Sequence, residues 1–258
     1  MSDKADKAIE YYQKGEWKKA IDTFSSVLET NGDSAEVYNN IAQCYAQLGD
    51  NDNAEHNFLK AQKLNPKLPQ VYINLADIYY KQKNYDSGIQ LLAQGVYEMP
   101  DNLVLRHYLA RFYMEDSRLD LAIDELEHIL EEQPKNYDAY YDLGRVHFEL
   151  GNYSSAISAF ENVLEYKKDN EWIYYYLAES YEANDELDKA ITNYIKSTSI
   201  NFHFPLPFKK LGILFMAKGD YEGAIEYFED YLKKDLADEE KHNVEKIVER
   251  LKNRQNKN

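Results

Sequence analysis

Cysteine is almost absent from this chain. Cys44 stands alone among 258 residues, so no disulfide framework holds the fold. Long apolar runs are missing as well: nothing approaches the ~20 residues that span a bilayer. The Met-Ser-Asp-Lys start carries no apolar stretch of the kind that marks a secretory leader. These absences set the cytoplasm as the expected location. Basic residues are in deficit, with 30 Lys and Arg against 46 Asp and Glu and a net charge of −16. Clusters of Lys and Arg are what grip phosphates and anionic bilayers, so neither nucleic acid nor membrane is expected as a partner. Catalytic signatures are missing too. The sequence holds no Gly-rich phosphate loop, nucleophile elbow or paired-His metal motif, and its six histidines are scattered. A non-enzyme is expected, with no catalytic residue, metal, cofactor or small-molecule substrate.

What the chain has is a beat. Ala8, Ala42, Ala76, Ala110, Gly144, Ala178 and Gly212 follow one another at intervals of 34 residues. A second small residue comes 12 later each time: Ala20, Ala54, Gly88, Ala122, Ala156, Ala190 and Ala224. A fixed period in this range marks a solenoid that buries its core between neighbouring repeats. Seven blocks result: 1–34, 35–68, 69–102, 103–136, 137–170, 171–204 and 205–238, followed by a tail at 239–258. Each block is acidic, so the charge is spread along the whole chain, and the plainest reading of it is a solvated surface.

Counting slots within each block, positions 4, 7, 8 and 11 form the stripe of an amphipathic helix, as in Tyr38, Ile41, Ala42 and Tyr45. A turn follows, with glycine at slot 15 in four blocks (Gly15, Gly49, Gly151, Gly219), where a helix takes a left-handed cap. Slots 20, 21, 24, 27 and 28 make a second stripe, as in Ala156, Ile157, Phe160, Val163 and Leu164. Pro66, Pro100 and Pro134 at slot 32 stop that helix. Large rings at slots 11 and 24 beside small residues at slots 8 and 20 are how a packed layer interdigitates. Cys44 at slot 10 reads as a small packed residue rather than a nucleophile, and His147 as a core substitute for tyrosine.

This pattern resembles the tetratricopeptide repeat family, in which a bulky residue, Leu, Gly/Ala and Tyr mark the first helix and Ala, Phe, Ala and Pro the second. The resemblance covers residues 1–238 in seven tandem copies. It implies an all-α, right-handed superhelical solenoid of antiparallel helix pairs, with the first helices lining a concave groove. Departures lie mostly at the ends: Lys4 and Lys7 for an apolar pair, and Lys168, Phe202 and Leu236 for proline. Gly88 and Gly95 inside one second helix should weaken it by about 1 kcal/mol each relative to alanine. In the tail, Val244, Ile247, Val248 and Leu251 are spaced as one helical face, expected to cap the solenoid or, alternatively, to bind a partner.

On this resemblance, slots 2, 5, 9, 12, 13 and part of 6 face the groove. The expected partner-binding residues are Asn40, Asn74, Asp77, His107, Tyr108, Arg111, Met114, Tyr141, Arg145, Phe148, Trp172, Tyr175, Tyr176 and Glu179. Aromatics, Met and Arg are types enriched at binding hot spots. Tyrosine at slots 5 and 12 is common in the family, so Tyr141 and Tyr175 weigh less than Tyr108 and Tyr176, which stand where asparagine is usual. Arg111 and Arg145 share a slot and are expected side by side, either gripping a peptide carboxylate or neutralised by Asp142, Glu115 and Glu149. The family's carboxylate clamp is missing, since Ala5 and Ile9 hold its first two positions. Its asparagine ladder stops after Asn40 and Asn74. The segment 201–208 is unusually apolar for a linker. It either packs beneath the junction of the last two repeats or forms a greasy end to the groove beside Trp172, Ile213 and Met216. The expected function is a scaffold or adaptor that binds a peptide segment of a protein partner. The alternative is a self-assembling solenoid, a homo-oligomer formed through end faces or residues 202–208.

Overall fold

A computed structural model describes residues 3–255, and no strand occurs among them. The chain forms two compact units, divided between Pro134 and Lys135. The first holds eight helices: α1 (Asp3–Gln13), α2 (Trp17–Asn31), α3 (Ala35–Gln47), α4 (Asn51–Leu64), α5 (Pro69–Lys81), α6 (Tyr85–Glu98), α7 (Leu103–Glu115) and α8 (Leu119–Glu132). The second holds α9 (Tyr137–Glu149), α10 (Tyr153–Leu164), α11 (Glu171–Ala183), α12 (Leu187–Ile200), α13 (Pro205–Ala217), α14 (Tyr221–Leu232) and α15 (Asp238–Gln255). Each 34-residue block therefore contributes one helix pair. Within each unit every helix packs on its neighbours along the chain, and α3 also touches α5, α5 touches α7, and α9 touches α11.

The small slots work as the pattern requires. Ala8, Ala42, Ala76, Ala110 and Ala178 lose all solvent contact, as do their slot-20 counterparts Ala20, Ala54, Ala122, Ala156, Ala190 and Ala224. Where slot 8 is glycine, the slot-24 ring moves into the vacated volume. A Cβ on Gly144 would lie 2.7 Å from Phe160, and one on Gly212 would lie 2.6 Å from Phe228. Cys44 is buried in the same layer, and burial pushes its thiol up to about 11, which removes it from nucleophilic chemistry at neutral pH.

All seven blocks turn through a left-handed residue at slot 15. Four use glycine, and the other three use Lys83, Ser117 and Asp185 at φ 56°, 57° and 61°. A side chain in that conformation costs roughly 1–2 kcal/mol. Ser117→Gly is expected to raise the unfolding free energy by a few tenths to about 1 kcal/mol, the gain being trimmed by glycine's larger unfolded-state entropy. Urea unfolding reads this directly, and a loss of stability would refute the strain argument at that turn. Six second helices from α2 to α12 end within a few slots of each other whether or not proline follows. Proline reinforces that stop without creating it.

The tail forms α15, whose Val244, Val248 and Leu251 are buried against Phe228 and Tyr231 of α14. Acidic residues open this helix and Lys252 and Arg254 close it, matching its dipole. The 201–208 segment divides its side chains. Phe204 is buried against Trp172 and Tyr175, at ring separations of 4.5 and 5.4 Å. Phe208 joins the terminal core. The ammonium of Lys234, itself buried, sits 3.1 Å above the Phe202 ring and 4.0 Å from that of Phe208. The segment is thus mainly junction packing, and only Phe202, His203 and Leu206 keep substantial exposure.

Candidate functional site

In the first unit, the odd helices present a face of amides that gives way to a charged pocket. The Gln70 side chain donates to Asn74 Oδ1 at 3.4 Å, and Asn74 Nδ2 donates to Asn39 Oδ1 at 3.3 Å. The Tyr12 hydroxyl donates to Gln43 Oε1 at 2.6 Å. Asn40 is half-buried beside them. Farther along, Asp77 and Tyr80 of α5 and Tyr108, Arg111 and Phe112 of α7 enclose a pocket of about 180 Å³. The Tyr80 hydroxyl donates to Glu115 at 2.9 Å, and its ring meets Phe112 edge-on at 5.8 Å. Desolvation raises the Asp77 carboxyl above its ordinary value against the pull of Lys81 and Arg111. His107 and Met114 are half-buried on the same helix.

In the second unit the corresponding face is aromatic. Tyr176 stacks on Phe160 at 5.9 Å with an interplanar angle of 12°. Trp172 continues the stack on Tyr176, also at 5.9 Å. Tyr141 stands edge-on to both Phe160 and Tyr176 at 6.1 Å, and Phe148 lies 6.5 Å from Tyr176. Burial pushes the Tyr141 phenol up to about 12, so it is a neutral hydrogen-bonding group over the physiological range. Trp172 is 40% exposed and is the most open ring of this set.

Two of the residues expected in the groove are otherwise engaged. Tyr175 is a buried side chain, covered by Trp172, Tyr194 and Phe204, so its ring offers no face to a partner. Glu179 belongs to an internal polar cluster: Lys210 lies 2.6 Å from it, and the Tyr194 hydroxyl reaches both Glu179 at 2.5 Å and Glu182 at 2.7 Å. Sequence spacing did not flag Lys210 or Tyr194 as partners of Glu179, since Tyr194 lies on the other helix of the pair and Lys210 in the next block, and only packing joins them. Arg111 lies in one unit and Arg145 in the other. Arg145 is held locally, 3.5 Å from Asp142 and 6.0 Å over the Tyr141 ring, which fits the neutralisation alternative for that residue.

Among the described residues no group of three or more His, Cys, Asp or Glu side chains is arranged to hold a metal. No described helix is long and apolar enough to cross a membrane.

Models of the tetratricopeptide repeat match residues 35–68, 69–102, 113–158 and 208–240, and a TPR repeat model matches 10–49 and 144–185. No curated protein matches the sequence. Among solved structures, MamA is similar at 26% identity and a TM-score of 0.59, over 62% of this chain and 93% of that one. The C-terminal part of a TPR repeat-containing protein from Cytophaga hutchinsonii is similar at 18% identity with a TM-score of 0.76, over 93% and 98% of the two chains. YrrB, described as a TPR protein with an unusual peptide-binding site, is similar at 19% identity and a TM-score of 0.62, over 76% and 97%.

Proposed function

The chain belongs to the tetratricopeptide repeat family, and from that premise we propose that it is a non-enzymatic scaffold that holds a peptide segment of a protein partner on the exposed faces of its odd helices. The observation that carries this reading is the composition of those faces. Each unit packs its even helices and the inward slots of its odd helices into the core, yet leaves on the odd helices a set of polar and aromatic groups that keep part of their surface exposed. These are Asn40, Asn74, Asp77, Tyr108 and Arg111 in one unit, and Phe148, Trp172 and Tyr176 in the other. A rigid surface of this kind is preorganised, so ordering costs fall on the peptide. The peptide-binding site named for YrrB lends the same fold a precedent for such use. Tyr175 and Glu179 act behind this surface, holding Trp172 and Lys210 in place.

Self-assembly through residues 202–208 has less to stand on, because Phe204 and Phe208 are spent on the interior. Affinity capture from a native lysate tests the groove reading. Partners retained by the wild-type chain should fall at least about tenfold with Arg111→Glu combined with Trp172→Ala, two substitutions at exposed positions. Recovery of the same partners by both proteins would remove the odd-helix faces as the binding surface.

A further inference from the structure

The pocket between α5 and α7 holds an acid and a base that feel each other's charge without joining in an ion pair. Among the described residues, neither the Asp77 carboxylate, nor the Arg111 guanidinium, nor the Tyr108 hydroxyl makes a hydrogen bond or ion pair. Three other arginines behave differently: Arg106 lies 2.7 Å from Glu125, Arg118 2.5 Å from Asp86, and Arg145 3.5 Å from Asp142. Tyr80 is already committed to Glu115. Three polar groups with unspent hydrogen-bonding capacity thus line one cavity of about 180 Å³, walled by the rings of Tyr80, Tyr108 and Phe112. That volume is below the range of cofactor and nucleotide sites and suits one side chain.

The charges choose among the side chains. Asp77 offers only acceptors and Arg111 only donors. A cationic occupant would satisfy Asp77 and be repelled by Arg111. A carboxylate would satisfy Arg111 and be repelled by Asp77, with Glu115 at the rim adding to the cost. An apolar occupant would leave both charges desolvated and unpaired. A neutral carboxamide meets both: its oxygen accepts from Arg111, its amino group donates to Asp77, and a short methylene stem lies against the aromatic walls. Resting on the peptide-binding reading above, we infer that this pocket is a specificity subsite for a glutamine or asparagine side chain of the bound peptide.

The test starts from peptides selected by phage display against the full chain, with binding measured by fluorescence anisotropy. The expected result is a glutamine or asparagine enriched at one position. Its replacement by leucine, lysine or glutamate should weaken binding roughly tenfold or more, as for a site left with unpaired polar groups. Arg111→Met and the near-isosteric Asp77→Asn should each weaken the amide-bearing peptide while leaving the leucine-substituted peptide almost unchanged. That coupling separates a direct contact from a general loss of structure. Enrichment of lysine or arginine lost in Asp77→Asn, or of aspartate or glutamate lost in Arg111→Met, would overturn the amide assignment. Peptides that depend on Trp172 but not on Asp77 or Arg111 would overturn the subsite and leave the proposed function standing. A chain that selects no peptide would overturn both.

Discussion

Phe160→Ala is expected to lower the unfolding free energy by about 3–5 kcal/mol, the range for emptying a buried phenylalanine site. The ring is fully buried. It lies so close to α9 that even a methyl group on Gly144 would collide with three of its carbons at 2.7 to 2.9 Å. Its faces support Tyr176 in a stack and Tyr141 edge-on, so alanine removes a floor as well as a filler. Helix backbones on either side limit how far the site can collapse, which places the cost toward the upper part of that range. Urea unfolding monitored by circular dichroism measures the loss. A change below about 1.5 kcal/mol would mean that neighbouring rings refill the space and that the layer is plastic. Because Trp172 rests on Tyr176, the same substitution should broaden the tryptophan fluorescence anisotropy response of the exposed face even where the variant stays folded.

Gly88→Ala carries the second large effect, and its sign opposes helix propensity. On propensity alone, alanine inside α6 should gain about 1 kcal/mol. The structure reverses this. A Cβ at position 88 would overlap three ring carbons of Phe112, the least close of them at 2.9 Å. Phe112 is buried and boxed in edge-on by Tyr80 and Tyr85, at 5.8 and 6.3 Å, so it has no free direction in which to retreat. Overpacking of this kind costs roughly 1–3 kcal/mol beyond what it returns. The variant should therefore be less stable by about 1–2 kcal/mol in urea unfolding. It should also lose the pocket that Phe112 floors. An alanine variant as stable as the parent would show that the ring yields cheaply and that glycine at 88 is incidental.

These two sites show what could be read in the residue order. Slot 8 and slot 20 are small in every block, so the helix pairs and the rings beside them follow from spacing alone. Gly88 obeyed that rule, but as a glycine it read only as a weak helix former. Its reason lies in Phe112, which belongs to the next block and is brought over it by packing. Gly95 is also held by packing, with a Cβ meeting Tyr72 of its own block at 2.8 Å and Leu105 of the next at 3.2 Å. Tyr175 misled for the converse reason. Its slot belongs to the groove in an average repeat, but Phe204, supplied by the unusual linker, closes over it here. The core was legible because it repeats. The individuality of the binding faces was not, because it arises where one block departs from the next and two departures meet.

The neighbour-only packing of the helices has a consequence for how the chain comes into being. Helices in substantial contact are one or two places apart along each unit, so no interaction must wait for a distant partner. Contacts of short sequence separation close small loops and form quickly. During synthesis, each helix pair meets its packing surface as soon as the following helix emerges, and exposed apolar stripes are covered in the order in which they are made. The stripe on α14 waits for α15, whose Val244, Val248 and Leu251 cover it.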